Sequence, residues 1–125
     1  MRGKSRVNKI IMQKVIEYCE QIEDILQEFG STFEAFDSNK AVQLSVGMCI
    51  VQIGELTTRL SDEFKANHSD IPWRKIKDMR NMYVHDYENV KTEKVWVTLM
   101  EDVPELKAQL EKILEAEGGL DDSQI

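Results

Sequence analysis

From Val7 to Phe29 the apolar side chains Val7, Ile11, Val15, Tyr18, Ile22, Ile25 and Phe29 recur at steps of three and four. That period winds into one continuous stripe on an α-helix and scatters over both faces of a strand. The stripe spans about six helical turns. A helix that long buries its face only against others of similar length, and no stretch of the 125 residues shows strand-like alternation. The pattern predicts an all-α chain, an up-and-down bundle of four to five helices.

The first helix is expected from about Ser5 to Phe29, with Gly30 as its C′ residue and Ser31 opening a new segment. Residues 31–39 hold a short helical turn whose Phe33 and Phe36 plug the end of the core. A second helix starts after Ser38 or Asn39 and continues to about Ala66 on the stripe Val42, Val46, Cys49, Ile53, Leu56, Leu60 and Phe64. Ala41, Leu44, Met48 and Val51 form a second apolar stripe, which suits a central helix or one that also meets a second subunit. Glu55 extends that stripe by one turn; a carboxylate there is solvated at the rim or paired with an arginine. Asp70 is a candidate cap and Pro72 a first-turn residue for a third helix, reaching Tyr83 or Val84 on Ile76, Met79 and Tyr83. Thr92 is the expected N-cap of a fourth helix, broken or kinked at Pro104 with Asp102 capping the restart. Gly118-Gly119 ends the pattern, so residues 1–117 read as one domain and 118–125 as an acidic, mobile tail.

Composition narrows the function. With 42% hydrophobic and 31% charged residues the chain is globular. No run approaches the roughly 20 apolar residues that span a bilayer, and the basic start lacks a secretory signal. Cys19 and Cys49 sit inside helical patterns without metal-ligand spacing, which predicts buried thiols in a reducing cytoplasm. The net charge of −7 argues against a general nucleic-acid coat protein. The charge is uneven, however. Residues 65–80 carry Lys65, Arg74, Lys75, Lys77 and Arg80 against Asp70 and Asp78, whereas residues 101–125 carry eight acids.

The densest chemistry is the stretch Arg80 to Tyr87 (RNMYVHDY). Arginine grips phosphate through paired donors, and histidine carries a proton near neutral pH. On a regular helix Asn81 and His85 share a face, whereas Arg80 and His85 point about 140° apart. The two converge only where the helix frays near Val84, or where two copies meet across a symmetry axis. Each residue also has a plainer reading: Arg80 as a surface ion pair with Asp78 or Asp86, His85 as a helix cap, Tyr83 and Tyr87 as core aromatics.

Arg80-Asn81-x-x-x-His85-x-Tyr87 resembles the R-x4-H-x-Y signature of the HEPN superfamily, and especially its HepT-like branch. The long first helix, Ile53-Gly54-Glu55, Ile71-Pro72-Trp73 and a Val103-Pro104-Glu105-Leu106 turn resemble that branch in the same order. The resemblance implies a metal-independent endoribonuclease toxin of a type VII toxin–antitoxin system. Arg80 and His85 would be its catalytic pair and Asn81 a supporting residue. It further implies a homodimer with facing motifs, RNA as substrate, no cofactor, and a minimal nucleotidyltransferase antitoxin that adenylylates Tyr87. Two other readings use the same residues: a non-catalytic HEPN module that docks a nucleotidyltransferase or nucleotide, and a plain helical dimerisation protein.

Overall fold

The computed structural model of the chain describes residues 2–119. Helix α1 (Arg2–Phe29) packs along α3 (Lys40–Thr57), which also packs along α5 (Trp73–His85). Short helices α2 (Phe33–Asp37) and α4 (Asp62–Asn67) turn the corners. A last rod of α6 (Thr92–Val97), a π-helical turn over Thr98–Asp102 and α7 (Val103–Ala116) returns along α1. Neighbouring long helices are antiparallel. Asn8, near the start of α1, bonds Ser61 beyond the end of α3, and Lys107 of α7 reaches back to Glu20 and Glu23. The expected all-α, up-and-down bundle is the architecture found. Among the described residues no helix is long and apolar enough to cross a membrane.

The core is the predicted set of faces with shifted edges. On α1 it comprises Ile11, Met12, Val15, Ile16, Cys19, Ile22 and Leu26, while Val7 and Phe29, the ends of the sequence stripe, are exposed. Phe36 is fully buried against Trp96, with ring centroids 5.5 Å apart, and Phe33 meets the same indole edge-on at 6.0 Å. Side-chain caps order the corners. Thr32, Asn39 and Ser61 each accept a first-turn N–H at 3.1 Å, from Ala35, Val42 and Phe64.

Several expectations are corrected. The second helix does not run unbroken to Ala66, because it stops at Thr57 and restarts at Asp62. Ser61 caps the restart, and Asn8 pins it with two hydrogen bonds, 3.2 Å and 3.3 Å. Leu60 and Phe64 stay buried across the break, which kept the apolar period going in the sequence. Gly30 does follow the end of α1 at Phe29, as expected, but it is not left-handed; its value is space, since a Cβ there would stand 3.3 Å from Val42 Cγ1. Asp70 does not cap α5, and its carboxylate instead accepts from Gln109 at 3.5 Å. Thr92 lies inside α6, and its hydroxyl donates to Asp37 at 2.5 Å. Pro104 breaks nothing. It occupies the first turn of α7, directly after the π turn has shifted the hydrogen-bond register, so its missing N–H is tolerated. Asp102 is helical and pairs with Lys75 at 2.8 Å instead of capping. Gly118 and Gly119 do end α7, with φ of +89° and +66°. Their amides bond back to Glu115 and Leu114. Most of the predicted acidic tail, residues 120–125, lies outside the described residues.

Two glycines set the distance between α3 and α5. Gly47 and Gly54 are seven residues apart, two turns on one side of α3. A Cβ on Gly47 would lie 2.5 Å from Tyr83 Cε1, and one on Gly54 would lie 2.6 Å from Arg80 Cγ. Neither neighbour can retreat without parting the helices. Ala at either site therefore costs about 1–3 kcal/mol of overpacking, reduced by up to ~1 kcal/mol of helix propensity. In urea, Gly47→Ala is expected to lower the unfolding midpoint at unchanged slope; a raised midpoint would show that the seam is not tight.

Cys19 and Cys49 are free and buried, as the sequence predicted. Burial, aided by Glu23, pushes the Cys19 thiol up to about 12. An unfolded thiol ionises near pH 8.5, so the folded state alone keeps its proton between there and about 12. Stability should therefore fall as pH rises through that window, and fall less in Cys19→Ala, measured by urea midpoints at pH 8, 9 and 10.

Candidate active site

Helix α5 carries the motif, and it lies close on α3 because of the glycine seam. Ile76, Met79 and Tyr83 turn toward the core, which leaves Arg80 at the edge of the α3–α5 interface. There the Arg80 Cβ and Cγ rest over Gly54, and the guanidinium meets the carboxylate of the next residue, Glu55. Arg80 Nε donates to Glu55 Oε1 at 2.6 Å, and Nη2 donates to the same oxygen. Nη1 donates to Asn81 Oδ1 at 2.7 Å. The partner of Arg80 is thus Glu55, twenty-five residues away, and not Asp78 or Asp86.

These bonds fix the guanidinium plane without exhausting it. Five N–H groups minus the three donated leaves two, both on terminal nitrogens. The side chain remains 26% exposed. Asn81, expected to orient a phosphate or His85, instead uses its oxygen on Arg80, and its NH2 group is still a donor.

His85 is the last residue of α5 and is exposed. The helix stays regular up to it, and the Asp86 amide closes the final turn onto the Met82 carbonyl at 2.9 Å. Fraying near Val84 therefore does not occur, and the angle of about 140° between Arg80 and His85 persists within one chain. Tyr87 begins a 3-10 turn and is half-buried, its ring 6.0 Å from that of Tyr83. Burial, and secondarily Tyr87, raises the Tyr83 hydroxyl well above its ordinary value, so Tyr83 is a core aromatic that stays protonated. Among the described residues no group of three or more His, Cys, Asp and Glu is placed to hold a metal ion.

The sequence profile of the family described as "Ribonuclease HepT-like" matches residues 15–113, which include the whole motif. The chain belongs to the HepT-like ribonuclease family. Among its relatives, a protein of Thermococcus cleftensis named "Probable ribonuclease HepT" is 34% identical, the match covering 86% of this chain and 96% of the relative. One from Caldanaerobacter subterraneus subsp. tengcongensis, named a "Putative RNase", is 29% identical over 85% of this chain and 93% of its own length. A third, from Methanocaldococcus jannaschii and also named a "Putative RNase", is 27% identical over 94% and 95%. No solved structure matches the chain. In this HepT-like chain the motif arginine is built into the fold by Gly54 and Glu55; an arginine partner for Glu55 was one of the two readings of the sequence, which named neither Arg80 nor the part played by Gly54. The available signal was two glycines at heptad spacing in a helix, the second followed by an acid.

The clamp makes a prediction independent of activity. Glu55→Ala should release the guanidinium, so the Arg80 Nε–H resonance, which its bond to Glu55 should protect from exchange in the parent protein, should broaden or vanish in 15N–1H spectra. An unchanged resonance would mean that Asn81 and the Gly54 contact hold the side chain without Glu55.

Proposed function

We propose that the chain is a metal-independent endoribonuclease toxin, active as a homodimer, paired with a minimal nucleotidyltransferase antitoxin that silences it by adenylylating Tyr87. The observation that carries this reading is the clamped Arg80. Its guanidinium is held in plane with two N–H donors to spare, on a helix whose last residue is an exposed histidine. Two N–H donors, one on each terminal nitrogen, suit the non-bridging oxygens of a phosphodiester, and they oppose the charge that grows as the phosphorus becomes five-coordinate. His85 serves as the proton carrier. The ribose 2′-hydroxyl loses its proton and its oxygen bonds to phosphorus. The bond from phosphorus to the 5′-oxygen breaks, and that oxygen takes a proton. The products are a 2′,3′-cyclic phosphate and a 5′-hydroxyl, so DNA, lacking the nucleophile, is not cut.

The dimer supplies what one chain's geometry lacks. Leu44 and Met48 on α3 are 55% and 60% exposed, and Val84 on α5 is 45% exposed. Leu44, Met48, Val51 and Glu55 follow one face of α3, so this apolar strip runs directly up to the carboxylate that holds Arg80. A second copy covering the strip would set its own motif opposite this one, bringing an Arg80 toward a His85 from the other chain. At Tyr87, adenylylation would add bulk and negative charge beside the motif and repel RNA phosphates.

The decisive experiment is cleavage by purified protein. His85→Ala should reduce RNA cutting at least a hundredfold with unchanged thermal unfolding, and the parent's activity should survive EDTA. Equal cutting by His85→Ala, or dependence on added magnesium, would contradict the mechanism. Met48→Glu should yield monomers by light scattering and lose cleavage with them. Co-expression with a minimal nucleotidyltransferase should add adenylyl mass to the peptide containing Tyr87.

A further inference from the structure

We propose that the groove between the end of α3 and the outer face of α5 is the track along which the RNA backbone runs to the motif, with Lys65, Arg74 and Lys77 as its phosphate-binding residues. This rests on the ribonuclease reading above and names the part of the surface that holds the substrate. The groove encloses about 500 Å³, within the size range of ligand-binding clefts, and its walls include Lys65, Arg74, Lys77 and, at one end, Asn81. Arg74, Lys77, Asn81 and His85 recur at steps of three, four and four, so they line one exposed face of α5. A strand bound along that face passes Asn81, and with it the Arg80 guanidinium that Asn81 holds, and leads on to His85.

Position and charge together mark these three residues: other cations also lie outside the ion pairs, but Lys65, Arg74 and Lys77 share one groove. Among the described residues, Lys75 pairs with Asp102, Arg80 with Glu55, and Lys107 with Glu20 and Glu23. No carboxylate of a described residue is paired within 4.0 Å of the Lys65, Arg74 or Lys77 cationic groups, although Asp78 lies on the same wall. Cations left unneutralised together, in a chain of net charge −7, form a local field that attracts a polyanion. The groove's hydroxyls add no donors, because Thr57 already donates to the Gly54 carbonyl at 3.0 Å and Thr58 to that of Glu55 at 2.6 Å. The Trp73 indole N–H is likewise used, on the His68 carbonyl at 3.1 Å. Apart from the Asn81 amide at one end, binding is thus by backbone charge, so it should depend steeply on salt and little on sequence.

The test uses full-length protein carrying His85→Ala, which prevents cutting, and a fluorescein-labelled short single-stranded RNA read by anisotropy across a salt series. Each phosphate neutralised on a single strand contributes about −0.7 to the slope of log affinity against log salt. Lys65→Gln/Arg74→Gln/Lys77→Gln should therefore flatten the slope by about 2, and Lys77→Gln alone by about 0.7. A control with the same charge change elsewhere, Lys14→Gln/Lys94→Gln/Lys112→Gln, should leave the slope as it was. With His85 intact, the track variant should raise KM for RNA and retain kcat at saturation. If track and control variants bind with equal affinity and slope while the parent protein cuts RNA, the track is wrong and the ribonuclease reading stands. Binding that the track variant loses, in a protein that never cuts, would support the track and overturn the catalytic reading. No binding by either protein overturns both.

Discussion

The close approach of α5 to α3 is the constraint from which the rest of the site follows. Gly47 and Gly54 remove two side chains from the interface, and the Tyr83 ring and the Arg80 stem occupy the vacated space. Tyr83 then locks α5 into the core, while Arg80 is held where its head meets Glu55 at the rim. A longer separation would leave the arginine free to sample solvent, with the entropy of its long side chain working against any fixed pose. In the proposed mechanism, ordering the guanidinium in advance would remove that cost from the moment of phosphate binding. Glu55 nevertheless lowers the net positive charge at the site. The arrangement therefore favours geometry over raw attraction, and attraction has to come from elsewhere on the surface.

The charge distribution supplies it. Lys75 and Lys107 are spent on carboxylates that join α5 to the π turn and α7 to α1, so they contribute to the bundle. Lys65, Arg74 and Lys77 face a groove that opens at Asn81. An acidic chain can thus hold a polyanion at one groove, which fits a strand-cutting enzyme better than a coat protein.

Much of the fold was legible in the sequence, because the apolar period of α1, α3, α5 and α7 directly encodes which faces are buried. A helix start after Ser38 or Asn39, Gly118-Gly119 as a stop and Phe36 as a plug could be read from residue chemistry alone. The break at residues 58–61 could not, since Leu60 and Phe64 keep the helical period while the chain turns, and the cue lies in Ser61 and its distant partner Asn8. Pro104 was misleading because a π turn immediately before it absorbs the register change. At the site, the motif residues were visible as a cluster of phosphate and proton chemistry. The partner of Arg80 was harder, because Asp78 and Asp86 are nearer in sequence than Glu55 and only the antiparallel packing of α3 on α5 brings Glu55 alongside.

The central claim is that one chain carries half a site, since a regular helix through His85 points it about 140° away from Arg80. Mixing Arg80→Ala and His85→Ala chains, unfolding them together and refolding tests this directly. Random pairing makes half of the dimers mixed, and in each of these one of two shared sites has both residues intact. The account predicts about a quarter of the parent's RNA cleavage from a mixture of two inactive proteins. Activity no greater than the sum of the separate variants would show that Arg80 and His85 act within a single chain.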